Sequence, residues 1–359
     1  VDGDAAQAAI EAGLVDGVKS HQQFRDYIIE KVGPDEEKPD TFSAIDYKSY
    51  LSANSLAAAA DSEPENKVGI IIASGPIVDG EAGPGSVGSA TLSRLIRQAS
   101  NDDSIAAVVL QVDSPGGSMF ASEVLLDQLE ELKAGGKPLV ASMSSVAASG
   151  GYYISMVADE IWAADTTRSG SIGGGAIFPT FQRSLDSVGV NIDGFGTTPL
   201  SGQFSGVLPL GEEAEKLMNI SVASAYELFI AKVAETRSMD LKQVDEVAGG
   251  RVWIGSDAQQ LGLVDEIGGL DQAVAAAATL AGLAENEYGV EYVKRELSVA
   301  EQILLQYARL LGALFGFSNA GASSQFMQQL AGLLAGPLEM LDAWNDPRGI
   351  YMHCFCEVR

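Results

Sequence analysis

The sequence is short of groups that take a proton near neutral pH. Two histidines, His21 and His353, stand near opposite ends of 359 residues, too few for a histidine-rich metal site. No lysine occurs between Lys137 and Lys216. Basic residues are scarce altogether: 22 Lys and Arg face 49 Asp and Glu, a formal net charge of −27. That balance argues against nucleic acid or an anionic membrane surface as the main partner. Cysteine is confined to Cys354 and Cys356. Two cysteines build no disulfide framework, and a ring closed across C-x-C is strained, so a free or intermolecular thiol pair is expected. No signal-peptide pattern opens the sequence at Val1, and no unbroken apolar run reaches the length of a membrane span. The uncharged stretch 310–338 comes closest. Polar residues from Asn319 to Gln329 interrupt it, which predicts two amphipathic helices instead. No cofactor is expected.

What is present is a globular composition, 46% apolar with 40 glycines. A short repeat sets the layout. "AGLVDGV" at 12–18 returns as "LGLVDEI" at 261–267, each after an Ala- and Gln-containing stretch. The second copy closes a unit of roughly two hundred residues, so the first copy reads as the end of an earlier unit. Residues 1–60 are therefore expected to be the tail of a preceding repeat unit and a linker. Residues 66–285 form the main unit, and 286–359 a mainly helical extension.

Within 66–285 the pattern alternates. Apolar runs at 68–75, 105–114, 137–143 and 160–165 predict buried strands. Helical spacing marks 90–100, 119–134, a run from Ser149 to 158, 211–236, 256–261 and 270–283. Gly135 and Gly136 stop the second of these. Strand–helix alternation predicts an α/β fold with a mostly parallel twisted sheet and outer helices. Ligand sites in such folds lie at the carboxyl ends of the strands.

Three glycine-rich segments fall at those ends. In "SSVAASGGYY" (144–153), Ser149 opens a helix whose unpaired amides and dipole favour a developing negative charge at its oxygen. The pattern Ala147-x-Ser149-x-Gly151 is a relaxed nucleophile elbow, and a plain N-cap serine fits it as well. In "DSPGGS" (113–118), Pro115 fixes a turn, and Gly116 and Gly117 offer backbone N–H groups of the kind that make an oxyanion hole. "SGSIGGG" (169–175) adds a third rim. Met119, Val146 and Ile172 flank these loops. They are candidates for a substrate pocket wall, although core packing suits them equally.

Together "VDSPGGS", "MSSVAASGGYY", "SGSIGG" and "RVWIGSDAQQLGLVDEIGG" resemble the signal peptide peptidase A family, serine–lysine peptidases of the crotonase/Clp-like fold. The resemblance covers most of the chain and is to the C-terminal half of the long, duplicated form. It implies that Ser149 is the nucleophile. Gly116 or Gly117, with the Gly150 amide, would hold the oxyanion, and Ser171 would orient the lysine. It further implies a peptide substrate such as a cleaved signal peptide, a homo-oligomer, and an inner-membrane location facing the periplasm through an N-terminal anchor.

The departure from the family lies at the base. In the short form the lysine follows the "GSIG" loop, but the matching stretch here, 195–206, reads "FGTTPLSGQFSG". Thr197, Thr198, Ser201 and Ser205 are not bases near neutral pH. In the long form the lysine belongs to the N-terminal half, so the base is expected from outside this chain. Two other readings stand beside the peptidase. One is a crotonase-like acyl-CoA enzyme, against which the acidic balance counts; the other is a non-catalytic assembly half. Apolar positions over 298–343, among them Ile303, Leu310, Leu314, Leu330 and Leu338, point to packing on a neighbour or toward a membrane.

Overall fold

The computed structural model describes residues 5–36, 38–47, 49–51, 64–294, 344–354 and 356. The helices read from 298–343 lie outside the described residues. The chain divides into two compact units, residues 1–63 and 64–359.

The first unit carries α1 (Ala5–Glu11) and α2 (His21–Val32). Ser20 caps α2 reciprocally: its hydroxyl accepts from the Gln23 amide, and the Gln23 side chain accepts from the Ser20 amide. His21 is the first residue of α2 and is exposed.

The second unit is built on a sheet of eight strands. Its strands are β1 (Asn66–Ser74), β4 (Ile105–Ser114), β6 (Leu139–Ala148), β7 (Glu160–Ala163), β8 (Arg168–Gly170), β10 (Val252–Ile254), β11 (Glu266–Ile267) and β12 (Tyr288–Tyr292). The main path runs β10-β8-β6-β4-β1-β12, with β7 joining β6 to β11. Every pairing is parallel except β10 with β8. A second sheet has the order β3-β2-β5-β13-β9. It is formed by β2 (Ile77–Val78), β3 (Val87–Gly88), β5 (Gly116–Ser118), β9 (Gly175–Ala176) and β13 (Ile350–His353).

The helices of this unit are α3 (Ser89–Asn101), α4 (Met119–Ala134), α5 (Gly150–Ser155), α6 (Gln182–Ser187), α7 (Glu212–Thr236), α8 (Leu241–Val247), α9 (Gly255–Gln260) and α10 (Leu270–Leu280). Both faces of the large sheet are covered, which explains the unbroken apolar strands. Ile71, Val108, Leu110, Leu139 and Ala141 share one cluster with Leu92, Ile96, Leu125, Leu129 and Phe229 from α3, α4 and α7. Ile70, Val109 and Val140 turn the other way, onto Ala273, Ala277 and Ala278 of α10. The period of two along each strand sends neighbouring residues to opposite cores.

The helix read over 119–134 is observed with those bounds as α4. Ser118 caps it by accepting from the Ala121 amide at 3.1 Å. The helix opened by Ser149 ends at Ser155, short of 158. The Ser155 hydroxyl turns back to the Gly151 carbonyl at 2.7 Å, and the chain must reach β7 at Glu160. The strand read to 143 runs on to Ala148, because its last residues pair with both β4 and β8. By length and composition α7 is apolar enough to cross a membrane. Here it lays Ala225, Phe229 and Val233 on the core and leaves Leu217, Ile220 and Leu228 exposed.

Candidate active site

Sheet register gathers the three glycine-rich segments. Ser114 at the end of β4 lies beside Ala147 of β6, and Ala148 lies beside Gly170 of β8. Their carboxyl ends thus sit next to one another on one edge. Ser149 follows Ala148 directly, with φ 55 and ψ −117. A non-glycine residue held at positive φ stores strain of order 1–3 kcal/mol, and such strain concentrates where a side chain must be presented. The Ser149 amide donates to the Gly170 carbonyl at 2.8 Å, and its carbonyl accepts from the Tyr153 amide at 2.8 Å. The main chain is fixed on both sides, whereas the hydroxyl has no hydrogen-bond partner among the described residues.

Two of the small residues around Ser149 are there because backbone comes close. A Cβ on Gly151 would stand 2.5 Å from the Ser114 carbonyl oxygen. One on Gly116, where φ is +92, would stand 2.1 Å from the Met352 oxygen and 2.5 Å from the Gly150 amide nitrogen. The Gly116–Gly117 turn and the start of α5 are therefore in contact. The Gly116 amide donates to the Ser114 hydroxyl at 3.1 Å. Gly117 lies beside Gly150, its nitrogen 3.2 Å from the point where a Gly150 Cβ would stand. The turn thus packs on Gly150, and within it the Gly116 amide is already taken by the Ser114 hydroxyl.

Ser171 also has positive φ, at 50, and its amide donates to the Arg251 carbonyl at 2.7 Å. It joins Ser149 on the wall of a cleft of about 610 Å³. Gly173 to Gly175, then Val222, Ala223 and Tyr226 of α7, form two further sides. Of the expected pocket residues, Met119 and Ile172 are buried in the main core, and Val146 is half-buried with its amide on the Asp113 carboxylate at 3.0 Å. None of the three lines the cleft among the described residues.

The remaining side of the cleft is one that sequence reasoning missed. Strand β13 pairs antiparallel with β5, Met352 opposite Gly117 and His353 opposite Gly116, and with β9 on its other edge. Tyr351, His353, Cys354 and Cys356 thereby line the cleft with Ser149. The segment is anchored before it enters. The Asp346 carboxylate accepts from the Ser118 hydroxyl at 2.5 Å and from the amides of Phe120 (2.9 Å), Arg348 (2.7 Å) and Ile350 (3.2 Å). Asn345 exchanges two hydrogen bonds with the Asp79 backbone. Cys354 and Cys356, expected as a thiol pair in a tail, stand instead on the wall of this cleft. The Cys354 amide donates to the Pro115 carbonyl at 2.7 Å, and the Arg168 guanidinium donates to the Cys356 carbonyl.

No lysine is among the lining residues described. Burial raises the pKa of both Tyr226 and Tyr351, and at Tyr226 a 2.6 Å bond to Asp245 adds to it. At His353 burial lowers the pKa, against a smaller opposing pull from the Gly116 backbone. Neutral His353 is then the form the fold accepts. The stability it contributes is complete above the usual imidazole value of about 6.5 and is lost as the pH falls through the lowered folded-state value. Amide protection factors across β13 should therefore fall as the pH drops below about 6.5, and His353→Gln should flatten that dependence. An unchanged pH profile in the variant would contradict it.

Residues 131–284 match the model of peptidase family S49. Protease 4 of Salmonella typhi is 36% identical over 354 residues, 99% of this chain and 56% of that protein. The chain belongs to the S49, or signal peptide peptidase A, family of serine peptidases. Protease 4 of Haemophilus influenzae is 38% identical over 80% of the chain and 47% of its own length. A putative signal peptide peptidase SppA of Enterococcus faecium is 34% identical over 48% and 50%. The chain spans about half the length of these S49 relatives. A solved ClpP1 mutant from Listeria monocytogenes aligns with 57% of the chain and 94% of its own, at TM-score 0.36 and 14% identity.

Proposed function

We propose that this chain carries the nucleophile of a serine–lysine peptidase whose lysine comes from residues outside it. One observation carries the reading: a strained serine at a strand-to-helix turn, its hydroxyl without a hydrogen-bond partner among the described residues, opens into a cleft whose described lining holds no lysine. A serine hydroxyl needs a positioned base to attack a carbonyl. In this reading Ser149 attacks the scissile carbonyl and the lysine takes its proton. The amides of Gly117 and Gly150 receive the oxyanion, and Ser171 orients the lysine amine. Burial against an apolar partner surface lowers the lysine's pKa so that it works as a neutral base.

The substrate is a short apolar peptide. Val222, Ala223 and Val252 with the glycine loop give the cleft an apolar lining, and no Asp, Glu, Lys or Arg is among its described residues. The name of the Enterococcus faecium relative supports spent signal peptides as the source. Assembly as a homo-oligomer at the inner membrane, facing the periplasm, belongs to the same proposal. The exposed Leu217 and Ile220 of α7 support a covering partner.

The test is a fluorophosphonate probe and a peptide library applied to the protein together with the lysine-bearing segment that this reading calls for. The probe should label Ser149, and cleavage should favour apolar residues just before the cut. A preference for charged residues there, or labelling elsewhere, would overturn the reading.

A further inference from the structure

We propose that His353 is a positioning residue for the turn beside Ser149: from the facing strand its imidazole holds the peptide unit that joins Gly116 to Gly117. The inference rests on the reading of Ser149 as the nucleophile and adds the side chain that steadies the turn proposed to receive the oxyanion. His353 stands opposite Gly116 in the β13–β5 register and lines the same cleft as Ser149. The other histidine of the sequence, His21, is exposed at the start of α2 in the first unit.

Gly116 needs holding. It has no side chain, and its φ is +92, so nothing in the residue itself fixes the peptide planes on either side of it. On its nitrogen side, the amide donates to the Ser114 hydroxyl at 3.1 Å. On its carbonyl side the partner is His353, whose imidazole makes a hydrogen bond with the Gly116 backbone. Since the amide is already taken, the ring N–H donates to the remaining backbone group, the carbonyl. The histidine is held in turn. Its strand pairs on both edges, and the next residue, Cys354, donates its amide to the Pro115 carbonyl at 2.7 Å.

A trans peptide unit is planar, and its C=O and N–H point in opposite directions. Holding the Gly116 oxygen therefore also fixes the direction of the Gly117 N–H, one of the two donors proposed for the oxyanion. His353 acts in this way on a donor and not on the nucleophile. The negative oxygen develops only as the carbonyl is attacked, so a loosened donor slows turnover and leaves ground-state binding as it was.

The experiment measures peptide hydrolysis by this chain with the lysine-bearing segment that the proposed function calls for, and its inhibition by a peptide aldehyde, whose adduct with a serine places an oxygen in the oxyanion site. His353→Ala should lower kcat about tenfold with KM unchanged, less than the roughly 10²–10³ that follows outright loss of a donor. Aldehyde binding should weaken by the same factor. His353→Gln or His353→Asn, whose amide N–H can stand in for one or other ring N–H, should recover most of the loss, and His353→Leu should not. His21→Ala is the control and should match the parent. In this chain alone, amide exchange at Gly117 should quicken in the Ala and Leu variants and slow again with Gln or Asn. A loss in KM instead of kcat, or no recovery with either amide side chain, would overturn the role. A loss as large as that of Ser149→Ala would also overturn it, in favour of a base. If the parent itself hydrolyses no peptide, the nucleophile reading falls, and exchange at Gly117 still decides whether His353 holds the turn.

Discussion

Ser149→Ala lowers peptide hydrolysis by the whole protein on the order of 10⁶-fold, the scale on which loss of a serine nucleophile acts when its base has nothing left to activate. The fold should survive the change. The Ser149 hydroxyl makes no hydrogen bond among the described residues, and the turn is held by main-chain bonds to Gly170 and Tyr153. Alanine keeps those bonds and bears the same positive φ. A thermal midpoint near that of the parent, with kcat collapsed, is the expected pair of results. Turnover reduced only a few-fold would show that another group attacks the peptide.

Gly116→Ala should be almost as damaging for a different reason. Its methyl group would stand 2.1 Å from the Met352 oxygen and 2.5 Å from the Gly150 nitrogen. Both are main-chain atoms, so no side chain swings aside to make room. The turn, β13 and the start of α5 must separate, which parts Gly117 from Gly150, the proposed oxyanion donors. Loss of one oxyanion donor alone costs about 10²–10³ in kcat, so at least that loss is expected in kcat/KM. Gly136 provides the control. Its φ is +90, close to that of Gly116, but a Cβ there meets nothing within 4 Å. Gly136→Ala should cost about 1 kcal/mol of stability through backbone strain and leave activity intact. Equal losses of activity in the two variants would mean that strain, not the close approach, is what matters.

Much of this arrangement was legible in the sequence, because local signals and sheet order agree there. Ser118 as a cap and Gly135–Gly136 as a stop delimit α4. The apolar runs of β1, β4 and β6 mark strands covered on both faces. Three glycine-rich strand ends meet because parallel pairing aligns carboxyl ends, a consequence of topology that needs no side-chain detail. The pocket wall was not legible. Met119 and Ile172 are close to the loops in sequence, yet strand and helix geometry turns them into the core.

The residues that do line the cleft come from far along the chain. Met352 meets Gly117 across more than two hundred residues, and no local periodicity announces a four-residue strand at that distance. "HCFC" reads as a tail until Asp346 is seen collecting the start of α4 and the turn before β13 into one network.

The central claim is that the base for Ser149 lies outside these 359 residues. Peptide hydrolysis by this chain alone, and by the chain co-expressed with the lysine-bearing segment that the proposal calls for, tests it most directly. The account predicts almost no turnover by the chain alone, restoration by the added segment, and loss again with Ser149→Ala or with removal of that segment's lysine. Robust hydrolysis by the chain alone, retained through rigorous purification and abolished by His353→Ala, would contradict it and make the imidazole across the cleft the base.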